Sequence, residues 1–377
     1  MEHRSTSAKI GIIGDGQLAL MLAEALMKIN TPFLCLSTSQ ESPMQACFGD
    51  FITSDTQRFR SECDVFTLEN EFHTIPELHD LLQVKSGKLF PEINSYNFFA
   101  DKISQRRFYE SAGISGPKWM PLRNINDLQV LSEKFQYPFV IKASKGGYDG
   151  KGVRIVNDHQ ELEKVLKDFK FAEGNFLLAE EKVQIQKEVA QGFLRASNGQ
   201  FTILPLVETI QENGVCNLVH YPSKVNDHIQ GQIDFFLERL IASGLVGIFN
   251  FEFFVDMNNR VLINEGAPRT HNSQHLTLDA SPLSQFDLLA LYLTDPTHAP
   301  RKMTAKPSVM INILGKRTGP CGELKLPEFS SVKVSVKLYG KAQSSPGRKM
   351  GHVNVVDDEG KTDLLAVGKR ILKEYDL

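Results

Sequence analysis

The stretch from Val140 to Val156, VIKASKGGYDGKGVRIV, limits the fold more than any other part of the chain. Phe139-Val140-Ile141 is an apolar run leading into Lys142, and Val153-Arg154-Ile155-Val156 alternates as a strand does. Between them lie Gly146, Gly147, Gly150 and Gly152, with Lys145, Tyr148, Asp149 and Lys151. A strand, a glycine-rich turn and a second strand make a flap of backbone N–H groups. Glycine lets such a backbone approach phosphates closely, and lysines add positive charge. No Walker-type G-x-x-x-x-G-K-[ST] can be aligned. On the loop alone, a glycine-bearing hairpin without a ligand stays open.

At 377 residues the chain has room for two or three domains of roughly 150 residues each. A net charge of −3 argues against a nucleic-acid binder, which needs a basic surface. No apolar run approaches the roughly 20 residues of a membrane span. Met1 to Lys9 is polar, without a signal-peptide core. The five cysteines, Cys35, Cys47, Cys63, Cys216 and Cys321, are odd in number and scattered, which suits a reducing cytoplasm and offers no zinc framework.

Lys9 to Ile13 reads as a strand, Gly14-Asp15-Gly16-Gln17-Leu18-Ala19 as a turn, Leu20 to Ile29 as a helix and Pro32 to Leu36 as a second strand. This matches the dinucleotide fingerprint, with a helix N-terminus ready for an anion. A nicotinamide enzyme places an acid about 20 residues on; here that place holds Ser37-Thr38-Ser39. The NAD reading is weakened, and a turn for another phosphate, or for none, remains. Asp64 to Leu68 is a further strand, ending in Glu69-Asn70-Glu71. Acids at the carboxyl end of a parallel strand point into the crevice of an open α/β sheet, although a solvated loop is the plainer reading.

Asp101 reads as the N-cap of a helix over Lys102 to Ala112. Phe176 to Ala179 is a strand running into Glu180-Glu181-Lys182-Val183, with Glu188 beyond it. It could present backbone to an adenine and a carboxylate to a ribose; an edge strand with charged flanks is the plainer alternative. Gly192 to Arg195 and Phe201 to Glu208 read as strands. Phe249 to Asp256, an Asn258-Asn259 turn and Val261 to Ile263 form an antiparallel pair, across which Glu252 can face Asn264-Glu265. Two carboxylates and an amide suit Mg²⁺ at phosphates. His271 and His275 are four apart, but no helix spans them to make a zinc site. The last segment has strand patterns at Ser308–Leu314, 332–339 and 351–356, a terminal helix containing Gly368, and Lys341 and Arg348 on loops where a phosphate or carboxylate could be held.

Taken in this order, these residues resemble the ATP-grasp ligases, and among them the N5-carboxyaminoimidazole ribonucleotide synthase family. The most specific marks are Gly146-Gly147-Tyr148-Asp149-Gly150-Lys151-Gly152, Asn264 to Ser273, and Gly347-Arg348-Lys349-Met350-Gly351-His352. The resemblance implies mixed α/β and α+β architecture. An N-terminal doubly wound parallel-sheet (pre-ATP-grasp) domain covers 1–95, and an ATP-grasp domain covers 96–298 with a lid over about 115–185. A small β-rich C-terminal domain covers 299–377.

The same resemblance implies roles. Lys102, Lys142, Gly147, Gly150, Gly152 and Val153 would meet ATP phosphates; Glu180, Glu181, Lys182 and Val183 the adenine; and Glu188 the ribose. Glu252 and Glu265, beside Asn264, would hold Mg²⁺ or Mn²⁺. Tyr148, Asp149 and Lys151 would be catalytic. Gln17, Glu71, Arg269, Asn272, Ser273, Lys341 and Arg348 would meet the second substrate, with the last two on a ribonucleotide phosphate. The implied partners are ATP, bicarbonate and aminoimidazole ribonucleotide, with no nucleic acid and no membrane, in a cytoplasmic homodimer. Two departures stand out. Gln274 replaces a common glycine and would be expected to crowd its loop. Ala19-Leu20 lacks an arginine often found there. Another ATP-grasp ligase, of the glycinamide ribonucleotide transformylase or biotin carboxylase type, or a non-catalytic nucleotide-binding relative, would share most of these marks.

Overall fold

The structure is a computed structural model that describes residues 8–39, 41–99, 101–146, 152–171, 175–212, 214–329 and 332–377. The first unit is a five-stranded parallel sheet in the order Ile52–Thr53, Phe33–Leu36, Ile10–Ile13, Val65–Leu68, Leu89–Phe90. All four residues of Ile10–Ile13 are buried, as a strand covered on both faces requires. The helix Gln17–Lys28 begins three residues earlier than the apolar pattern indicated, because Gly16 is extended and the chain turns helical immediately after it. Its apolar face shares a core with the helix Gln285–Thr294, which opens on a capping box of Ser284 and Asp287.

The second unit is a four-stranded antiparallel sheet in the order Trp119–Leu122, Leu177–Glu181, Phe139–Ala143, Val153–Val156. The strand, turn and strand expected around the glycines are present. Phe139 pairs with Val156, and Lys142 with Val153. The alternative of an edge strand before Glu180 is corrected. Leu177–Glu181 is hydrogen-bonded on both sides, and its chain leaves the sheet through Lys182 and Val183.

The third sheet is antiparallel and the largest. Among the described residues its order is Val261–Ala267, Gly247–Asp256, Ile185–Arg195, Val207–Glu212, Val215–Tyr221, Ser308–Leu314, Lys349–Val356, Lys333–Leu338. Phe201–Ile203 also pairs with Ile185–Arg195. Ile185–Arg195 is longer than its apolar end predicted, since polar Lys187 and Glu188 still pair with Gly247–Asp256, while Gln186 is an extra residue between Ile185 and Lys187. The single strand expected from Phe201 to Glu208 is interrupted where Pro205, which has no N–H to donate, separates Phe201–Ile203 from Val207–Glu212. Val215–Tyr221 escaped the sequence reading because Cys216, Asn217 and His220 dilute its apolar signal. It is also the strand that bonds Ser308–Leu314 and carries the C-terminal segment into this sheet. Gly368, inside the helix Leu364–Glu374, is explained by contact: a Cβ there would fall 2.6 Å from Leu218.

Candidate active site

At the first βα turn, the fingerprint glycines make room for a side chain of the protein itself. Glu69 accepts a hydrogen bond of 2.6 Å from the Gly16 N–H, and a Cβ on Gly16 would lie 2.0 Å from its carboxylate. Desolvation raises the Glu69 pKa, partly offset by the Gly16 N–H. The helix N-terminus that a pyrophosphate would use is therefore already occupied by a carboxyl group of the protein itself. Ser37, where a ribose acid would stand, donates to Asp15. These contacts remove the dinucleotide reading. Gln17 lies half-buried at the start of the same helix. Glu71 reaches across to Arg269, which donates to it through Nε and, at 2.9 Å, through Nη2. Both are drawn from different units, so this bidentate pair ties the first unit to the large sheet.

A cationic crevice lies between the second and third sheets. Asp101 caps the helix Lys102–Ser111 by accepting from the Ser104 N–H at 2.9 Å, and Lys102 and Arg106 project from it four residues apart, on one face. Lys142, on Phe139–Ala143, contacts Glu180 at 2.7 Å and donates to Asn264 at 3.0 Å. Arg106 donates to Glu180 at 2.6 Å and to the Ile263 carbonyl at 2.7 Å. The Glu180 side chain is only 2% exposed, with both its oxygens engaged by cations. Desolvation pushes its pKa up, but Lys142 and Arg106 outweigh this and hold it down. Any adenine contact at this position falls to the backbone, while Glu181 and Lys182 are exposed and Val183 is half-buried where the chain leaves the sheet.

The opposite wall is a row of carboxylates. Glu252 stands directly across from Glu265 on neighbouring strands, and Ala190, two residues from Glu188, pairs with Glu252. Period-two alternation from Val261 and Ile263, which are in the apolar core, would send Glu265 into that core as well. A bulge prevents it. Phe253 pairs with Ile263, so Asn264 is an extra residue and Glu265 turns onto the face of Glu252. Gly266 then takes the core face, where a Cβ would meet Phe99, Tyr109 and Phe251 within 2.9 Å. Lys102 donates to Glu265.

Electrostatics mark this row as short of positive charge. Desolvation, then Glu265 and Glu188, push Glu252 up to about 8. Desolvation raises Glu188 to about 7, although Gln211 donates to it at 2.8 Å. Desolvation would raise Glu265 too, but the ammonium groups of Lys102 and Lys142 hold it low. Carboxylates crowded until one prefers its proton are the donor set that a divalent cation neutralises. Glu252 and Glu265 thus fit Mg²⁺ on this observation.

The loop after Ala267 crosses the same face. His271 lies 3.7 Å from Glu252 and shares a 2.9 Å hydrogen bond with the Ser273 hydroxyl; desolvation and Arg269 push it down to about 3, so it is a neutral imidazole. Asn272 and Asn312 exchange amide hydrogen bonds of 2.9 and 2.6 Å. Ser273 is 2% exposed, which makes it a support for His271 rather than a surface open to a ligand. Gln274 does not crowd the crevice as expected. It is fully buried, and its Nε2 donates to the Pro205 carbonyl at 2.9 Å. His275 is likewise buried, beside Phe286 and His352, and takes no part in a metal set with His271.

Lys341 and Arg348 come together in a separate place. With Ser42, Gln45 and Gln343 they line a cavity of about 300 Å³ between the first unit and the C-terminal segment. Gly152 and Val153 close the base of the flap, with the Ala143 N–H donating to the Gly152 carbonyl at 2.8 Å. Gly147, Tyr148, Asp149, Gly150 and Lys151 lie outside the described residues. Two residues at the site were not singled out from sequence: Arg106, whose signal was its spacing of four from Lys102, and Gln211, which had no local signal.

Comparison with known proteins accords with this geometry. Residues 7–97 match the ribonucleotide synthetase preATP-grasp domain, 107–286 the ATP-grasp domain, and 308–364 the phosphoribosylaminoimidazole carboxylase C-terminal domain. The chain is therefore an ATP-grasp enzyme, an ATP-dependent carbon–nitrogen ligase. It is 30% identical over 360 residues to the N5-carboxyaminoimidazole ribonucleotide synthase of Staphylococcus aureus (strain COL), covering 93% of each chain. It belongs to the N5-carboxyaminoimidazole ribonucleotide synthase family. The S. aureus N5-carboxyaminoimidazole synthetase crystallised with ADP superposes with a TM-score of 0.82 at 28% identity, over 96% of this chain and 97% of that one. The Aspergillus clavatus enzyme, in complex with ADP and 5-aminoimidazole ribonucleotide, gives 0.79 at 25% identity, over 97% and 100%.

Proposed function

We propose that this protein uses ATP to carboxylate 5-aminoimidazole ribonucleotide with bicarbonate, forming N5-carboxyaminoimidazole ribonucleotide for purine biosynthesis. The observation that carries the reading is the pair of sites: a lysine-and-carboxylate crevice suited to a nucleotide, and a separate basic cavity at Lys341 and Arg348. In the first step a bicarbonate oxygen attacks the γ-phosphorus, the bond to ADP breaks, and carboxyphosphate forms. In the second, the ribonucleotide amine bonds to the carboxyl carbon, phosphate leaves with the C–O electron pair, and the amine loses a proton.

Lys102 and Lys142 would offset charge on the transferring phosphoryl group, and Asn264 keeps Lys142 aimed there. Glu252 and Glu265 would hold Mg²⁺, which when bound supplies charge neutralisation at the β- and γ-phosphates. Glu188, held by Gln211, would accept from the ribose. Neutral His271 and cationic Arg269 would face the carboxylating group, with Glu71 fixing the arginine. Lys341 and Arg348 would grip the ribonucleotide phosphate, with Gln17 nearby. The flap with Tyr148, Asp149 and Lys151 would exclude water from an acyl phosphate that hydrolyses readily. We also read the protein as a cytoplasmic homodimer; among the described residues no helix is long and apolar enough to cross a membrane.

The test is ADP release from Mg-ATP in bicarbonate buffer, with and without the ribonucleotide. Strong stimulation is expected. ATP binding without stimulation would point to a different acceptor or to a chain that binds without turnover.

A further inference from the structure

The loop after Ala267 is gripped from behind by a side chain to which the reading above gives no role. Gln285 is the first residue of the helix Gln285–Thr294 and is fully buried. Its Oε1 accepts from the His271 N–H at 2.8 Å, and its Nε2 donates to the His271 carbonyl at 2.8 Å. One side-chain amide thus pairs with both main-chain groups of His271, as a neighbouring strand would. The Gln285 N–H, left over at the helix start, donates to the Thr277 hydroxyl at 3.0 Å, and that hydroxyl donates to the Gln274 carbonyl at 2.6 Å. The same helix packs on Gln17–Lys28, so the first unit holds the helix and the helix holds the loop.

This pairing fixes which way the amide faces, because an N–H needs an oxygen and a carbonyl needs an N–H. The second hydrogen on Nε2 then points at His275 Nδ1, 3.0 Å away, so that nitrogen accepts and the His275 proton sits on Nε2. The His275 ring is fixed in turn. Phe286 lies 5.7 Å from it and His352 5.1 Å, and Tyr339 shares a 2.9 Å hydrogen bond with His352 Nδ1. Asn354 donates to the His275 carbonyl at 3.0 Å. The tautomer of His271 follows by the same logic. Its Nδ1 accepts from the Ser273 N–H at 3.3 Å, so the Ser273 hydroxyl also donates to it and the proton is on Nε2. That Nε2 is the atom 3.7 Å from Glu252. His271 therefore turns a neutral N–H donor toward the carboxylate face, and its direction depends on where Gln285 holds its main chain.

We propose that Gln285 is a positioning residue for the reaction: by holding the main chain of His271 it aims the His271 Nε2–H at the carboxylating group, and buried His275 keys the amide the right way round. The inference rests on the proposed carboxylation. Two hydrogen-bond chains meet here, from His275 through Gln285 to the His271 main chain, and from Ser273 to the His271 ring. Each fixes one proton, and together they leave one donor facing the crevice. A glutamine suits the task, because it carries donor and acceptor in one plane and adds no charge beside Glu252 and Glu265.

The experiment compares wild type, Gln285→Met, His271→Ala and the double variant in ribonucleotide-dependent ADP release and in ADP affinity. Gln285→Met keeps the length of the side chain and removes its hydrogen bonds. It is expected to hold ADP within about twofold of wild type and to lose on the order of 100-fold in kcat. Added to His271→Ala it should cost less than about twofold more, because Gln285 acts through His271. Nitrogen NMR of the imidazoles should show the His271 proton on Nε2 in wild type, the signal being identified by its absence in His271→Ala. Turnover of Gln285→Met within about twofold of wild type would overturn the assignment. So would a kcat loss matched by an equal loss of ADP affinity, losses that multiply in the double variant, or a His271 proton on Nδ1. If Gln285→Met does not fold, Gln285→Glu, of the same size with a donor removed, decides by the same readings. Wild type without ribonucleotide-dependent release would overturn the carboxylation reading itself; a failure confined to the Gln285 variants would leave that reading standing.

Discussion

Glu252 and Glu265 face each other across one antiparallel strand pair, held there by the extra residue Asn264. Lys102 contacts only the second of them, so the two ends of the pair are unequal. Glu265 stays ionised, and Glu252 is pushed up to about 8 by desolvation and by its carboxylate neighbours. Crowding of this kind is costly for the carboxylates alone, and a bound cation would relieve it.

Replacing Glu265 with Gln keeps its size and removes its charge. Turnover should fall by at least about 10³-fold, and the dependence of ADP binding on Mg²⁺ should weaken. Steady-state ADP release and calorimetric ADP titration with and without Mg²⁺ would check this. Near-normal turnover would remove Glu265 from the metal site.

Stability should depend on pH in a direction set by these carboxylates. Glu188 and Glu252 bind protons more tightly in the folded chain than in the unfolded one. Their contribution is therefore present at low pH and is lost as pH rises through about 7 to 8. Below about 6.5 the depressed histidines His271 and His352 act in the opposite sense, so the informative window lies above that value. Without Mg²⁺, Tm should fall between about pH 6.5 and 8, and added Mg²⁺ should raise Tm more at the upper end. A flat profile in a thermal scan would contradict the crowding of these groups.

Glu180 joins Arg106 and Lys142 where almost no solvent reaches. Glu180→Gln would leave two buried cations without their anion. Urea unfolding at pH 7 should show a loss of about 3–5 kcal/mol, with weaker ADP binding. A change below about 1 kcal/mol would mean that water or a relaxed backbone replaces the carboxylate.

Gln274 occupies a position that the family commonly leaves to glycine, yet its side chain is buried against Pro205. Gln274→Gly should leave kcat within about twofold and cost about 1–3 kcal/mol of stability through the lost hydrogen bond and freer backbone. Measured turnover changed by more than about tenfold would show that the loop needs the smaller residue for catalysis.

The local elements around the site were written in periodicity and caps. Phe139–Ala143 and Val153–Val156 followed from their apolar patterns, the helix after Asp101 from its N-cap, and the pairing of the two strands that carry Glu252 and Glu265 from the short turn between them. These features depend on residues close in the chain, so the chain itself specifies them. What it left open were relationships between distant segments. That Leu177–Glu181 lies inside its sheet depends on partners more than 30 residues away. That Glu69 fills the anion position at Gly16 depends on a neighbouring parallel strand. That Gln274 is buried depends on Pro205. The bulge at Asn264 decides which face Glu265 takes, and a bulge exists only relative to the strand it is paired with. The amino-acid order alone thus determined the elements and the kinds of side chain available. The tertiary structure decided which faces those side chains share, because register and burial are properties of paired strands and not of single ones.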